Sequence, residues 1–520
     1  MPQAQNDARR AAKLAEERAR QGREKFAPKP KPVAEVHATD QVIEYALRYG
    51  NEQADAEIAK RHLNGRYVHD RGRAETFARQ PGSHCVRDAL GQITVETNAY
   101  LNAEYTRYRD KTVAALNDPT TPEDELKRLS ILLKLTNRRI NAINSRSRLK
   151  NIMQFILEGA GGIAITSDCW NSDPWLFPVV NGVIDLRTFV FRPPTPNDLF
   201  FKFAPTPWVD IDTPAPYWDG FLLSSFDGNE RLVRYVQKVL GSSIVGNSKQ
   251  QEFYVFWGEG RNGKGCMFET LKGVLGPLVD PIRSEIIMES RFEENPKGAD
   301  PELLDMQGQR IVWASETKQG KKLNIEKIKR FTGADTLKGR LNYSNEIVSF
   351  KPSHTLLLLT NHKPRVGGGE YALWQRLRLI PFLLSFVDNP TEPHERPRDV
   401  DLPERLLTER SGILAWLVQG CRLWQEEGLE PPPEVLDATS EYQADEDMAQ
   451  AFLDARCEVA SWASVGAGEL HEEFTNWFKA EYGEKARVPG LRPFGELLEK
   501  KVRREKGRTT RWVGIRIRHD

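Results

Sequence analysis

Residues 253–265 read FYVFWGEGRNGKG, and the rest of the chain is organised around them. The apolar run 253–257 predicts a buried strand, and the apolar positions after Lys264 recur at helical spacing. Gly258, Gly263 and Lys264 have the GxxxxGK spacing of a phosphate-binding loop. Glycines let successive backbone N–H groups turn towards a phosphate, and the lysine adds a mobile positive charge. The stretch therefore predicts a strand, a phosphate-binding loop and a helix.

The predicted nucleotide-binding residues form one continuous segment. They are Gly258, Glu259, Gly260, Arg261, Asn262, Gly263, Lys264, Gly265 and Cys266. In such loops a Ser or Thr usually follows the lysine, because its hydroxyl ligates Mg²⁺. This chain has Gly265 there, so the loop lacks one expected magnesium ligand. For the loop alone, a glycine-rich turn after a strand is the alternative interpretation.

Composition narrows the classes of protein. At 520 residues the chain can hold about three domains. The formal net charge is +1, from 74 basic and 73 acidic residues, so nucleic-acid binding would have to use local patches. Five scattered cysteines without a CxxC pair argue against a structural zinc site and favour a reducing compartment. No apolar run approaches the length of a membrane span, so we expect a soluble, intracellular protein.

The first part of the chain divides into a tail and a helical domain. Residues 1–38 are charged and end in a Pro-Lys alternation, which predicts a disordered tail; a nucleic-acid or partner arm is the alternative. Residues 39–206 predict a mostly helical N-terminal domain. Short strands are expected at 65–68 and 92–95, and Asn181-Gly182 predicts the turn of a hairpin.

Three further strands follow the loop, each with polar residues at its end. Residues 310–316 end in Glu316, and 355–360 is followed by Asn361. Since parallel strands present ligand groups at their carboxyl ends, Glu316 is predicted to hold Mg²⁺ and activate water, and Asn361 to sense the γ-phosphate. Arginines of the segment 374–382 could reach the nucleotide of a neighbouring subunit.

Four sequence blocks carry a family resemblance. They are GEGRNGKG (258–265), RIVWASET (310–317), LNIEKIKRFTGADTLKGRLNYSNEIVSFKP (323–352), and LLLLTNHKPRV (356–366) followed by WQRLRLIPF (374–382). Together they resemble the A, B, B′ and C motifs of superfamily 3 helicases. More narrowly, they resemble the phage and plasmid branch of the poxvirus-type primase-helicases. The resemblance covers roughly residues 210 to 445.

The resemblance implies a fold and a set of partners. Members of this family are AAA+ ATPases, typically hexameric rings that translocate on single-stranded DNA and use ATP with Mg²⁺. It implies an α/β AAA+ core over 207–408, with a parallel sheet flanked by helices. A helical lid or linker would follow at 409–446 and end at the proline run 431–433.

The same resemblance assigns roles by position. Lys264 would be the phosphate lysine, Glu316 the catalytic acid and metal ligand, and Asn361 the sensor. Arg376 would be the arginine that acts on the neighbouring subunit's site. Gln375 stands where a second arginine is often found, so the choice between Arg376 and Arg378 stays open. Lys338 and Arg340 would lie in a pore hairpin and bind DNA.

The C-terminal segment 447–520 predicts a winged-helix-like domain. Helices are expected at 451–463, 470–478 and 494–498, before a terminal strand at 512–515. Residues 485–520 carry twelve Lys/Arg and four Asp/Glu, a net charge of +8, which favours contact with a nucleic-acid backbone. A solvated charged face is the alternative.

The leading functional hypothesis is an ATP-dependent DNA helicase of a phage, prophage or plasmid replication module. It would act as a homo-oligomeric ring on single-stranded or forked DNA, in the cytoplasm of a bacterial host. Because residues 1–150 lack clustered carboxylates for two metals, a primase is expected to be absent or supplied by a separate protein, so a separate primase or polymerase is a possible partner. Two alternatives stay open: a replication initiator or loader without processive unwinding, and an ATPase that acts on a protein.

Overall fold

The computed structural model describes most of the chain. The described residues are 38–80, 84–158, 162–247, 250–289, 301–315, 321–340, 347–366, 371–446, 448–482, 488–499, 501–506 and 510–518. The tail predicted at 1–38 lies outside the described residues, apart from residue 38. Glu316 lies outside them as well.

The N-terminal region is mainly helical, as predicted. Its described elements are α1 Asp40–Tyr49, α2 Glu52–Leu63, β1 Tyr67–Asp70, β2 Glu75–Arg79, β3 Cys85–Arg87, α3 Gln92–Leu116, α4 Glu123–Ile143, α5 Arg146–Glu158 and β4 Ala164–Ile165. The strands form a sheet in the order β3-β2-β1-β4. The helices share one apolar core, in which Ile43, Ala59 and Leu101 are buried. The strand expected at 65–68 is confirmed as β1, two residues further along.

The strand predicted at 92–95 is wrong, because these residues begin helix α3. The Asp88 carboxylate accepts hydrogen bonds from the backbone N–H groups of Gln92 and Ile93, at 2.7 and 2.9 Å, and so caps the helix. Ile93, Thr97 and Leu101 are buried at a spacing of four residues, which is the period of a helix face. A window of four residues is too short to show that period.

The predicted hairpin is confirmed as part of a three-stranded antiparallel sheet. Its strands are β5 Leu176–Val179, β6 Gly182–Asp185 and β7 Val190–Arg192. The turn is Val180-Asn181, one residue earlier than predicted, because Val179 pairs with Gly182. The Asn181 side chain bonds both the N–H and the C=O of Trp208, each at 2.9 Å. The hairpin is thereby joined to the segment that leads into the central sheet.

The central sheet contains the strands predicted from the motifs. The elements of this region are α6 Pro216–Ser225, α7 Glu230–Ser243, β8 Phe253–Trp257, α8 Lys264–Leu275, β9 Val279–Ile282, α9 Pro301–Asp305, β10 Ile311–Ser315, α10 Ile325–Thr332, β11 Leu337–Arg340, β12 Ile347–Phe350, β13 Thr355–Thr360, α11 Tyr371–Trp374 and β14 Leu377–Pro381. Five strands pair in parallel in the order β14-β8-β13-β10-β9. The antiparallel pair β11–β12 stands apart.

The region after the sheet is helical, as predicted, but its proline run has a different place. The elements are β15 Ser385–Val387, β16 Glu395–Pro397, α12 Leu402–Thr408, α13 Arg410–Glu427 and α14 Pro433–Asp445. Gly428 ends α13 with a φ of +73°, and Pro433 is the first residue of α14. A proline suits that position, because the first helical N–H has no partner within the helix. The proline run therefore separates two helices and does not end the lid.

Both faces of the central sheet are buried, as is usual for parallel sheets. Tyr254 and Phe256 of β8 point into a core shared with α7, α8 and α13. Phe253 and Val255 point into a second core, shared with α10, α11 and the β11–β12 pair. The two covered faces leave the edge at the carboxyl ends of the strands to hold functional groups.

The C-terminal module has its own core and one unexpected strand. Its elements are α15 Met448–Arg456, β17 Cys457–Gly466, α16 Ala467–Tyr482, α17 Leu491–Leu498, β18 Arg503–Lys506 and β19 Thr510–Ile517. The strands pair antiparallel in the order β17-β19-β18. The helix predicted over 451–463 ends at Arg456, because residues from Cys457 onward pair with β19. That pairing is distant in sequence, so local periodicity does not reveal it.

Candidate nucleotide-binding site

The predicted phosphate-binding loop joins the end of β8 to the start of α8. Gly260 and Gly263 adopt φ values of +113° and +85°, in the region that favours glycine. Gly263 immediately precedes Lys264, the first residue of α8. The N-terminus of this twelve-residue helix therefore opens onto the loop, and its free N–H groups favour an anion there.

Two glycines of the loop have opposite steric surroundings. A Cβ on Gly258 would overlap the Asn262 amide nitrogen and the Phe382 carbonyl oxygen. A Cβ on Gly265 would meet nothing within 4 Å. Gly258 is thus required for close packing of the loop, whereas Gly265 has room for the hydroxyl side chain that similar loops carry.

This contrast gives a prediction with a matched control. We expect Gly258→Ala to lower the thermal midpoint of the central region by roughly 2–10 °C, because overpacking costs about 1–3 kcal/mol. We expect Gly265→Ala to leave the midpoint unchanged or slightly higher, because alanine favours the first helical turn. Scanning calorimetry of the two variants checks both. Equal midpoints would contradict the described packing.

Lys264 is held inside the loop by oxygen atoms of its own chain. Its Nζ donates to the Gly258 carbonyl at 2.8 Å, to Asn262 Oδ1 at 3.0 Å and to Asn361 Oδ1 at 3.3 Å. The residue is only 5% exposed. Burial lowers the pKa of the Lys264 ammonium to about 8. A triphosphate beside this ammonium would stabilise the charged form and raise the pKa again.

A pH dependence of nucleotide binding follows. Above about pH 8 the free lysine loses its proton, whereas the phosphate-bound lysine keeps it, so binding takes up a proton. Affinity for a fluorescent ATP analogue should fall above that pH by up to about tenfold per pH unit. Lys264→Arg keeps its charge throughout, so its affinity should stay flat even if it is weaker. A flat wild-type profile would rule out Lys264 as the phosphate ligand.

The structure brings two of the predicted residues together. Asn361 directly follows β13, which is the neighbour of β8 in the sheet, and its side chain reaches Lys264. Ser315 ends β10, the neighbour of β13 on the other side, and pairs with Leu359. Glu316, which comes next, lies outside the described residues. The carboxyl ends of these three strands meet at one edge, as the sequence predicted.

A cavity of about 1210 Å³ opens at this edge. Its lining includes the loop together with residues that sequence reasoning missed, namely Tyr217, Phe221, Glu269, Phe386, Asp388, Arg398, Asp399 and Arg405. The Glu409 carboxylate accepts hydrogen bonds from the N–H groups of Tyr217 and Trp218, at 2.9 and 3.1 Å, and so fixes the start of α6. The Phe386 N–H donates to the Arg261 carbonyl at 2.6 Å, which joins β15 to the loop.

The two candidate arginines lie away from this cavity, at the start of β14. Arg376 donates to Thr332 Oγ1 at 3.0 Å and to Gln251 Oε1 at 2.8 Å. Arg378 forms an ion pair with Glu252 at 3.2 Å. Since β14 runs parallel to β8, both arginines are at the opposite end of the sheet from the loop. Within one chain, the structure does not bring them to Lys264.

The candidate DNA-binding residues are also separate from the cavity. Lys338 and Arg340 lie on β11, which pairs with β12. Their spacing of two puts both side chains on one face of the strand, while Leu337 on the other face is buried. Lys338 is exposed and Arg340 is half-buried. The connection between β11 and β12, residues 341–346, lies outside the described residues.

The hydrogen-bond donors and the positive charge that line the cavity suit a nucleotide better than a metal ion alone. The loop's N–H groups, the helix N-terminus and the Lys264 ammonium match phosphate oxygens. Across the described ranges, no three His, Cys, Asp or Glu side chains are grouped closely enough to hold a metal ion. A metal ion that binds together with a nucleotide can take phosphate oxygens and water as ligands. Glu269, Asp388 and Asp399 line the cavity and could contribute carboxylates.

The amino-acid sequence is similar to those of several viral proteins. A family model described as "D5 N terminal like" matches residues 84–227. "Putative helicase L207/L206" of Acanthamoeba polyphaga mimivirus is 28% identical over 326 residues, 60% of this chain and 34% of that protein. "Putative helicase 022R" of Frog virus 3 (isolate Goorha) is 25% identical over 285 residues, 52% of this chain and 29% of that protein. "Putative helicase V13" of Sputnik virophage is 23% identical over 361 residues, 65% of this chain and 44% of that protein.

These relatives support a helicase family of the D5 type and a helicase-like enzyme. The chain spans about a third of the length of the first two, so the activity of those whole proteins does not transfer by itself. A bacterial host finds no support here, because the relatives include viruses named for an amoeba, a frog and an invertebrate.

The similarity of the chain to a solved structure is low. The A form apo structure of the NrS-1 C terminal region has a TM-score of 0.40 and 13% identity, over 72% of this chain and 91% of that chain. Within the described ranges, no helix is both long enough and apolar enough to cross a membrane.

Proposed function

We propose that the chain is an ATP-dependent DNA helicase of superfamily 3, with an AAA+ core at 207–408. The observation that carries the proposal is the meeting of Lys264 and Asn361 at the carboxyl edge of an all-parallel sheet, beside a large cavity. The place of β13 between β8 and β10 supports it, because Asn361 follows the strand that lies between the one before the loop and the one that ends at Ser315.

The proposed reaction is attack of water on the γ-phosphorus of ATP, which breaks the bond to the β–γ bridging oxygen and releases ADP and phosphate. The loop's N–H groups and Lys264 bind the phosphates and stabilise the charge that develops on them. Glu316 accepts the proton of the attacking water, and Asn361 orients that water against the γ-phosphate. Mg²⁺, when bound with the nucleotide, would neutralise phosphate charge.

We propose Arg376 as the arginine that acts on the neighbouring subunit's nucleotide in a ring, with a hexamer as the expected assembly. Arg378 is tied to Glu252 and its side chain is 24% exposed. In the described part of the chain, the Arg376 guanidinium donates to the neutral side chains of Thr332 and Gln251, and a phosphate would bind it more strongly than they do. Its distance from the cavity of its own chain suits a role at another subunit's site.

DNA binding is proposed for the face of β11 that carries Lys338 and Arg340. Nucleotide hydrolysis would shift this strand pair and move a single strand along the ring. The helix-strand-helix-helix-strand-strand order of the C-terminal module supports a winged-helix-like domain, and the charge of +8 on residues 485–520 favours a second DNA contact. A phage, prophage or plasmid replication module and a separate primase or polymerase complete the proposal.

A strand-displacement assay on forked DNA tests the function. We expect ATP-dependent unwinding by the wild type and none by the double variant Lys338→Ala/Arg340→Ala, which should retain basal ATP hydrolysis. The double variant should also bind single-stranded DNA with a log–log salt slope that is shallower by roughly 1.4, since each phosphate contact contributes about 0.7.

Lys322→Ala is the control, because it removes a surface charge that pairs with Glu289 at 2.7 Å. It should unwind like the wild type. DNA-stimulated hydrolysis without unwinding in the wild type would instead favour an initiator or loader. Hydrolysis that DNA does not stimulate would favour an ATPase that acts on a protein.

A further inference from the structure

The C-terminal module exposes a tryptophan in a strand bulge. β17 and β19 pair in one register up to Val459 and in another from Ser464, so residues 460–463 bulge out opposite Gly514. Gly514 has a φ of +90°, a conformation that favours glycine. Trp462, within the bulge, is 78% exposed.

One arginine lies against the ring, and a second bonds the residue that ends the bulge. The Arg516 guanidinium lies 5.5 Å from the centroid of the Trp462 ring and also bonds the Glu458 carboxylate. Arg511 donates two hydrogen bonds of 2.9 Å to Ser464, one to its hydroxyl and one to its carbonyl oxygen. The ring is therefore held beside fixed positive charge.

The module's own core does not use this ring. Phe452, Phe474, Trp477 and Trp512 fill that core, and all four are buried. A single exposed apolar side chain is ordinary on a protein surface. An aromatic ring in a bulge, with Arg516 against it and Arg511 at the end of the bulge, is different, because it combines a flat stacking surface with charges that attract phosphate.

The basic C-terminal part of the module, which contains Arg511 and Arg516, indicates the kind of ligand. Residues 485–520 carry a net charge of +8, which favours a polyanion. Bases of a duplex stack on one another, whereas an unpaired base offers a free face to an aromatic side chain. A protein partner would be expected to need a continuous apolar patch. Two apolar side chains of β17 are exposed, Val459 and Trp462, but the charged Glu458 lies on the same strand and Arg511 and Arg516 lie on the strand paired with it.

We propose that Trp462 stacks on an unpaired base of a single-stranded nucleic acid, while Arg511 and Arg516 bind the adjacent phosphates. The proposal rests on the proposed function only in that a helicase supplies such a strand. The site should bind without preference for base sequence, because every base has a face on which the ring can stack. It would hold a strand outside the ring pore attributed to Lys338 and Arg340.

Binding of a fluorescent oligothymidylate to the full chain tests this site. We expect Trp462→Ala to weaken binding by about 5- to 150-fold, the range measured for base–aromatic stacking. Trp462→Phe should recover most of the loss, and binding of a blunt duplex should be unchanged in both variants. Arg511→Gln should lower the log–log salt slope by about 0.7.

ATP hydrolysis without DNA should be the same in the wild type and Trp462→Ala, which separates this site from the proposed function. If the wild type hydrolyses no ATP but loses oligothymidylate affinity on Trp462→Ala, the helicase assignment fails and the stacking site stands. Wild-type affinity in Trp462→Ala, or an equal loss for duplex, would overturn the stacking site. Unchanged thermal unfolding of the variant shows that its fold is intact.

Discussion

Replacing Lys264 with alanine should abolish ATP binding and lower hydrolysis by at least about a hundredfold, the loss typical for removing one key charge-stabilising donor. Lys264 is almost fully buried, and its ammonium lies at the start of α8, where phosphates would bind. A charge that is so little exposed to water interacts strongly with an anion. Phosphate release and titration with a fluorescent ATP analogue measure the two effects.

The fold should survive this substitution. The Lys264 ammonium donates to neutral oxygens of Gly258, Asn262 and Asn361, so among the described residues no carboxylate loses its counter-ion. Lys272→Ala is the matched control on the same helix, since it removes a partly exposed charge that pairs with Asp280 at 2.8 Å. It should hydrolyse ATP at the wild-type rate. Turnover in Lys264→Ala near that rate would exclude this loop as the site.

Replacing Glu316 with glutamine should also abolish hydrolysis, but ATP binding should persist. The amide keeps the shape of the carboxylate and cannot accept the proton of the attacking water. The position directly follows Ser315, which ends β10 and lines the cavity. A loss of at least about a hundredfold in the rate of phosphate release is expected, in the range for general base catalysis.

Glu269→Gln is the informative comparison for that variant. The Glu269 carboxylate also lines the cavity, from the helix that follows the loop. We expect the Glu269→Gln variant to keep most of its rate of ATP hydrolysis. If Glu269→Gln stopped hydrolysis and Glu316→Gln did not, the general base would have to be reassigned to Glu269.

The elements that carry motifs could be predicted because their signals are local. The apolar runs before Gly258 and before Asn361 each form a strand with the predicted bounds or within a residue of them. The helix after Lys264 buries the positions expected from its period. Their meeting at one edge followed from the rule that parallel strands share a carboxyl end. The roles of these residues stay predictions.

The parts that could not be predicted depend on contacts between distant segments. Trp462 was expected on a helix, yet pairing with β19 draws it into a strand. The start of α3 depends on the Asp88 carboxylate that caps it, and the helical spacing of its buried residues becomes visible only over several turns. The cavity wall around Tyr217 depends on Glu409, a residue 192 positions later in the chain. No local pattern in the sequence contains such information.

Phosphate release by the purified chain, measured with ATP and Mg²⁺ in the presence and absence of single-stranded DNA, tests the central claim most directly. We predict that the rate of phosphate release rises when the DNA is added and that it falls to background in the Lys264→Ala variant. A chain that stays a single subunit with nucleotide and DNA present, and that releases no phosphate, would contradict it.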